Sequence, residues 1–250
     1  MIEFILARWT FPSLREWLFI LPAGTFLGAL CGWLVGRAKV HWDIPVGYSR
    51  KIFHFFIFSL AGLTGLAGGF TATQVFGASL GLVVFYAVWR GEHSFLFHAL
   101  ARPSDKPHQK YYILVPFLMT ALGGIVSNIL FGPAAVIGYI TTGWGDAVGE
   151  PVGTRWGRHK YPVLTLTGIR SYRSLEGSLG VFLASLLGTA GLLSLGFRLE
   201  PGIFLPAALL TAAVTTLVEA VSFHSLDNLT IQILSTGAAV MIIRFLGVTI

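Results

Sequence analysis

The sequence predicts an all-α polytopic membrane protein of about eight transmembrane helices, with both termini on the non-cytoplasmic side. Three observations carry this expectation: the composition, a series of long uncharged runs, and the alternation of basic connections between them. Of 250 residues, 54% are apolar and 11% charged, and mean hydropathy is +0.75. Seventeen Lys and Arg and eleven Asp and Glu cannot clothe a water-soluble domain of this size. A soluble enzyme, a disordered chain and a free nucleic-acid binder are excluded, so no nucleic acid partner is expected. The pI near 9.7 points instead to anionic headgroups or a polyphosphate substrate. The single cysteine, Cys31, lies in an apolar stretch, so no disulfide forms within the chain.

Backbone amides in hydrocarbon must be satisfied inside a helix, so each run long enough to span is read as one. The runs are Leu18 to Val35, Ile52 to Phe70, Ala72 to Trp89, Ile113 to Phe131, Ala134 to Val148, Gly177 to Phe197, Ile203 to Val221 and Leu229 to Val248. The fifth is the shortest and carries Thr141, Thr142 and Gly143, which leaves a re-entrant segment open as its alternative. The residues between the runs are too scattered to fold separately, and a single membrane domain, 1–250, is expected. The first run is long and leads into a basic loop, unlike a cleavable signal peptide.

Eight crossings put thirteen basic residues on one side, among them Arg37, Lys39, Arg50, Lys51, Arg90, Arg102, Lys106, Lys110 and Arg170. The other side receives Arg8, Arg15, Arg198 and Arg244. By the positive-inside rule the rich side is cytoplasmic. Trp9, Phe11 and Trp17 beside Arg8 and Arg15 suggest an N-terminal stretch lying along the interface. Most acids and all seven histidines gather at the basic side, and none sits in mid-membrane. That counts against an ion-coupled transporter and suits a site where a charged, water-soluble reactant meets a lipid-soluble one.

Four polar clusters mark that side. The densest runs from Gly143 to Lys160. Asp146 and Glu150 share a helical face, and Gly145, Gly149, Gly153 and Gly157 form a second stripe at the same interval. The stripe admits either a neighbouring helix or a phosphate chain. Pro151 is expected to break the helix and free amides for anion binding, with Arg155, Arg158 and Lys160 following at once. Paired acids beside clustered cations suit a magnesium-bound nucleoside triphosphate. The second cluster is Arg173, Ser174, Glu176, Gly177 and Ser178, where Ser174 serves equally as a helix cap. The third joins Glu219 to Asp227, Asn228 and Thr230; a carboxylate ending an apolar helix asks for a cation or a metal. The fourth is Arg50, Lys51 and His54, whose ordinary meaning is a basic membrane flank.

No Walker loop, zinc-protease helix or protein-kinase set is present, and Gly143-x-Gly145-x-x-Val148 lacks the third glycine of the dinucleotide fingerprint. Taken in order, the four clusters resemble the CTP-dependent membrane lipid kinases that include dolichol kinase, phytol kinase and the fungal-type diacylglycerol kinase. The resemblance runs from Ser49 to the C-terminus and departs at Arg173, where the family often has Lys. It leaves the first run and the loop from Gly91 to Tyr112 unassigned.

The resemblance implies an integral membrane enzyme that transfers the terminal phosphoryl group of CTP to the hydroxyl of a lipid alcohol such as phytol or a polyprenol. The reaction takes place at the cytoplasmic face, with the alcohol entering from the bilayer. It implies Mg2+ on Asp146, Glu150 and Asp227, with Glu219 as a further ligand. Arg155, Arg158, Lys160 and Arg173 would hold phosphates, with Arg50 and Lys51 adding to the field. Gly145, Gly149, Gly153, Ser174, Glu176, Gly177 and Asn228 complete the nucleotide-binding set. Asp146, Asp227 and His54 are the catalytic candidates, His54 or an acid accepting the alcohol proton. The competing readings are a CTP:phosphatidate cytidylyltransferase, which attacks the α-phosphate, and a non-enzymatic lipid carrier.

Overall fold

A computed structural model describes residues 3, 7–163, 171–223 and 226–250; Arg170 lies outside the described residues. The first helix, α1 (Leu14–Trp42), starts at a capping box in which Ser13 and Glu16 satisfy one another's backbone amides. Its buried face is the glycine series Gly24, Gly28, Gly32 and Gly36. These glycines let it lie against α2 (Val46–Arg90) and the short α3 (Phe95–Leu100). A β-carbon at Gly36 would overlap the backbone carbonyl of Phe95, which cannot rotate aside as a side chain would. Gly36→Ala is therefore expected to lower stability by about 1–3 kcal/mol, read as a lower melting temperature in detergent.

Among the described residues six stretches, rather than eight, are long and apolar enough to cross a bilayer. The predicted second and third runs fall in α2, and the fourth and fifth in one stretch from Gln109 to Trp156. The helical pattern passes almost unbroken through Thr71, and through Gly132 and Pro133, where the predicted runs divide. At 45 residues α2 would be about 68 Å long if straight, twice the hydrocarbon core. It is not straight: Gly69 takes φ 68°, and Phe53 and Ile57 of the first half pack against Phe76 and Leu80 of the second. The second stretch turns likewise at Gly132, φ 59°, between α4 (Gln109–Phe131) and α5 (Ala135–Trp156). Across that turn Asn128 Nδ2 donates to the Tyr139 hydroxyl at 2.6 Å.

The helix α5 is the hub. Gly143 lies against Phe58 of α2. Gly138 faces Gln232 and Thr236 of α8 (Asp227–Phe245), and the Gly145 stripe meets α6 (Leu175–Gly191). It runs on to Trp156 and is about 33 Å long, long enough to span a bilayer. Thr141, Thr142, Gly143 and Gly145 are buried against neighbouring helices, where small polar residues pack closely without meeting lipid. Pro151 lies inside this helix and does not end it, so the amides freed for anion binding are not there.

An antiparallel pair of short strands, β1 (Lys160–Val163) and β2 (Ser171–Ser174), adds to the all-α expectation. Its register sets Lys160 opposite Ser174 and Tyr161 opposite Arg173. Ser174 then caps α6, accepting from the Gly177 amide at 3.1 Å. A π-helical turn, Leu192–Gly196, closes α6, and α7 (Pro201–Val221) precedes α8. Arg8 does not lie along an interface alone: its Nη1 donates to the carbonyls of Ile129 and Leu130 at the end of α4. The ensemble is a polytopic helical membrane protein.

Candidate active site

One end of the bundle gathers the start of α2, the loop after α3, the end of α5, the strand pair, the start of α6, the end of α7 and the start of α8. They enclose a charged cavity of about 400 Å³. Five cations line it, Arg50, Lys51, Arg102, Lys160 and Arg173, with four carboxylates, Asp146, Glu150, Glu219 and Asp227.

The carboxylates form two couples. On α5, Asp146 and Glu150 flank Lys51 of α2, whose Nζ lies 2.5 and 2.9 Å from them. Lys51 is only 4% exposed, and these two carboxylates pair with it in place of water. Arg102 Nη2 reaches the same Glu150 oxygen at 2.5 Å. His54, one turn beyond Arg50, places Nε2 3.3 Å from Asp146 Oδ2 and stacks on Phe58. In the second couple, Arg173 Nε lies 2.6 Å from Glu219 Oε1 and its Nη2 3.0 Å from Asp227 Oδ2. Arg173 Nη1 also donates to the Glu219 carbonyl, so one guanidinium ties β2 to α7 and α8. Arg50 and Lys160 stand in no ion pair among the described residues, which leaves two cations facing the cavity for an anion.

Magnesium can be weighed against these donors. Among the described residues no group of three or more His, Cys, Asp or Glu stands ready to hold a metal alone. The ion ordinarily takes one or two carboxylates, waters and substrate phosphates, and each acid couple supplies that number. Glu219 Oε2 is buried without a hydrogen-bond partner, a free oxygen suited to this use. The donor set fits.

Most predicted site residues converge. Gly149, Gly153, Ser174, Gly177 and Asn228 line the cavity with the charged groups. The glycine stripe is first a helix crossing: a β-carbon at Gly149 would overlap Val181, and one at Gly145 would press on Ser185. Five predicted residues lie outside the cavity lining: Gly145, His54, Arg155, Arg158 and Glu176. Arg155 and Arg158 are exposed, Arg155 over the Trp156 ring, and Glu176 accepts from His159 Nδ1 at 2.7 Å. Arg102 and Tyr112 come from the loop that the motifs left unassigned. Tyr172 was also missed, and Ser178, named in the second cluster without a role, lines the cavity; the Tyr161 phenol, raised in pKa chiefly by burial, bonds Ser178 Oγ at 2.7 Å.

A second, mainly apolar chamber of about 580 Å³ adjoins the first between the two halves of α2 and α4. His54 lines it, and Arg50, Pro116 and Asn228 line both spaces. Asn228 is held there by its bond to Thr120 Oγ1 at 2.7 Å. A polyanion and a hydrocarbon chain can thus meet at one junction.

No family model matches the chain, and no solved structure does. A comparison with curated proteins finds the phytol kinase of Synechocystis sp., 30% identical over 236 residues, which cover 88% of this chain and 90% of that protein.

Proposed function

Because the chain belongs to the polyprenol and phytol kinase family and is a lipid alcohol kinase, we propose that it transfers the terminal phosphoryl group of CTP to phytol or a similar isoprenoid alcohol. The observation that carries this reading is the joining of a charged cavity to an apolar chamber at Arg50, Pro116 and Asn228. Arg50 and Lys160 bind the phosphates, and Arg173 with Lys51 hold the carboxylates in place. Mg2+ would be held by Asp146 with Glu150 and by Glu219 with Asp227. When bound, it neutralises charge on the transferring phosphoryl group.

The alcohol lies with its hydroxyl at the junction. His54, whose Nε2 lies 3.3 Å from Asp146 Oδ2, accepts its proton as the oxygen bonds to phosphorus and the nucleoside diphosphate leaves. Most of the acceleration comes from holding the hydroxyl in line and from fixed positive charge. His54→Ala is expected to lower kcat about a hundredfold with the KM for CTP little changed, as steady-state kinetics would register.

If α2 and the Gln109–Trp156 stretch each turn back through the bilayer at Gly69 and Gly132, the chain crosses eight times. Both termini then lie opposite the site, and the excess of basic residues on the site's side favours a cytoplasmic site. The test of the reaction is a panel of phytol, farnesol, dolichol and diacylglycerol, with terminally labelled CTP or ATP and Mg2+. Label is expected in the isoprenoid alcohols, with CTP the better donor; label only in diacylglycerol, or in no lipid, would refute the proposal.

A further inference from the structure

The apolar chamber is far larger than a hydroxyl needs. Its walls are Phe53 and Ile57 from the first half of α2, Phe76 and Leu80 from the second, and Phe117 and Ile125 from α4. One end is the polar junction. The other is Trp9, Trp17 and Phe70, beside the Gly69 turn. Trp9 packs edge-on against Phe70 with centroids 5.6 Å apart, and Gln74 Nε2 donates to the Thr10 carbonyl at 3.0 Å, fastening the N-terminal segment there.

The wall has one gap. Gly77 lines the chamber, yet a β-carbon built on it meets nothing within 4 Å; at Gly81 a β-carbon meets only Phe117 and Phe85 side chains, none nearer than 3.6 Å. Empty apolar space forfeits dispersion contacts on every lining atom, so such a space favours an apolar occupant. Because Arg50 and Asn228 line the charged cavity as well, the occupant that fits is one amphiphile with a small polar head at these residues and a hydrocarbon chain along the walls.

We propose that this chamber holds the hydrocarbon tail of the alcohol, and that Gly77 on its wall and Trp9 at its base fix the tail length admitted. The proposal rests on the kinase reading. A larger side chain at Gly77 would occupy tail space without displacing protein. A smaller one at Trp9 would open the base.

The test uses Gly77→Leu and Trp9→Ala in the full chain with two readouts. One is label transfer to geraniol, farnesol, phytol and a long polyprenol. The other is crosslinking by a phytol analogue carrying a diazirine at its tail tip, which needs no turnover. Gly77→Leu is expected to lose about tenfold on phytol relative to geraniol, and Trp9→Ala to gain on the long polyprenol. In the wild type the diazirine should label the Trp9 and Phe70 peptides, in competition with phytol. Unchanged length profiles in both variants, labelling elsewhere, or a phospholipid that phytol does not displace would overturn the assignment. If the wild type phosphorylates none of these alcohols while the probe still labels Trp9 and Phe70 and phytol competes, the chamber assignment stands and the kinase reading falls. Should Gly77→Leu not fold, Trp9→Ala and the crosslink decide.

Discussion

Replacing Arg173 by alanine is expected to cost about 3–5 kcal/mol of stability and to abolish measurable turnover. The guanidinium is 14% exposed, and it holds Glu219 and Asp227, themselves 13% and 18% exposed. Without it two carboxylates from different helices remain close together, largely removed from water and uncompensated, and the Glu219 carbonyl loses a donor. The ends of α7 and α8 would separate. Arg173→Lys keeps the charge but cannot spread donors across both carboxylates and a carbonyl. An intermediate melting temperature and partial activity are expected. A native melting temperature for Arg173→Ala would show that this ion pair does not organise the site.

The second large effect separates chemistry from folding. Asp146→Asn is expected to reduce turnover about a hundred- to a thousandfold while the melting temperature stays near that of the wild type. Asparagine fills the same volume, and Lys51 keeps Glu150 at 2.9 Å, so its buried charge stays paired. What is lost is a negative charge beside His54 and the transferring group. A non-catalytic lipid carrier would tolerate this substitution, which makes melting temperature and turnover, measured together, the discriminating pair.

The apolar runs were legible because each long lipid-facing stretch must be apolar, and hydropathy reports that directly. Where two runs meet, the sequence signal was ambiguous. Gly69 and Gly132 turn the chain with no charged residue near them in sequence, so six apolar stretches stand among the described residues where eight runs were expected. Thr141, Thr142 and Gly143 made the fifth run look short for the opposite reason: they face protein, so nothing requires them to be apolar.

At the site, the acids were legible because a carboxylate at a membrane boundary is costly unless used, and all four of Asp146, Glu150, Glu219 and Asp227 line one cavity. The cations were harder to read. Arg155 and Arg158 belong to the same sequence cluster as Lys160, yet a single helical end cannot turn every neighbour inward, and only Lys160, carried round by β1, lines the space. Arg102 had no motif to mark it. It is supplied by a loop that Lys39 anchors through the carbonyls of His98 and Ala101, a tertiary contact that spacing does not encode.

The central claim is that Arg50, Lys160 and the paired acids position a nucleoside triphosphate for attack on its terminal phosphorus by an alcohol at the chamber mouth. The measurement that tests it most directly supplies purified protein with phytol and either of two CTP samples, one labelled at the terminal and one at the α-phosphate. Lipid label is expected from the first sample alone, with CDP as co-product. Lipid label from the α-phosphate, with pyrophosphate released, would contradict it.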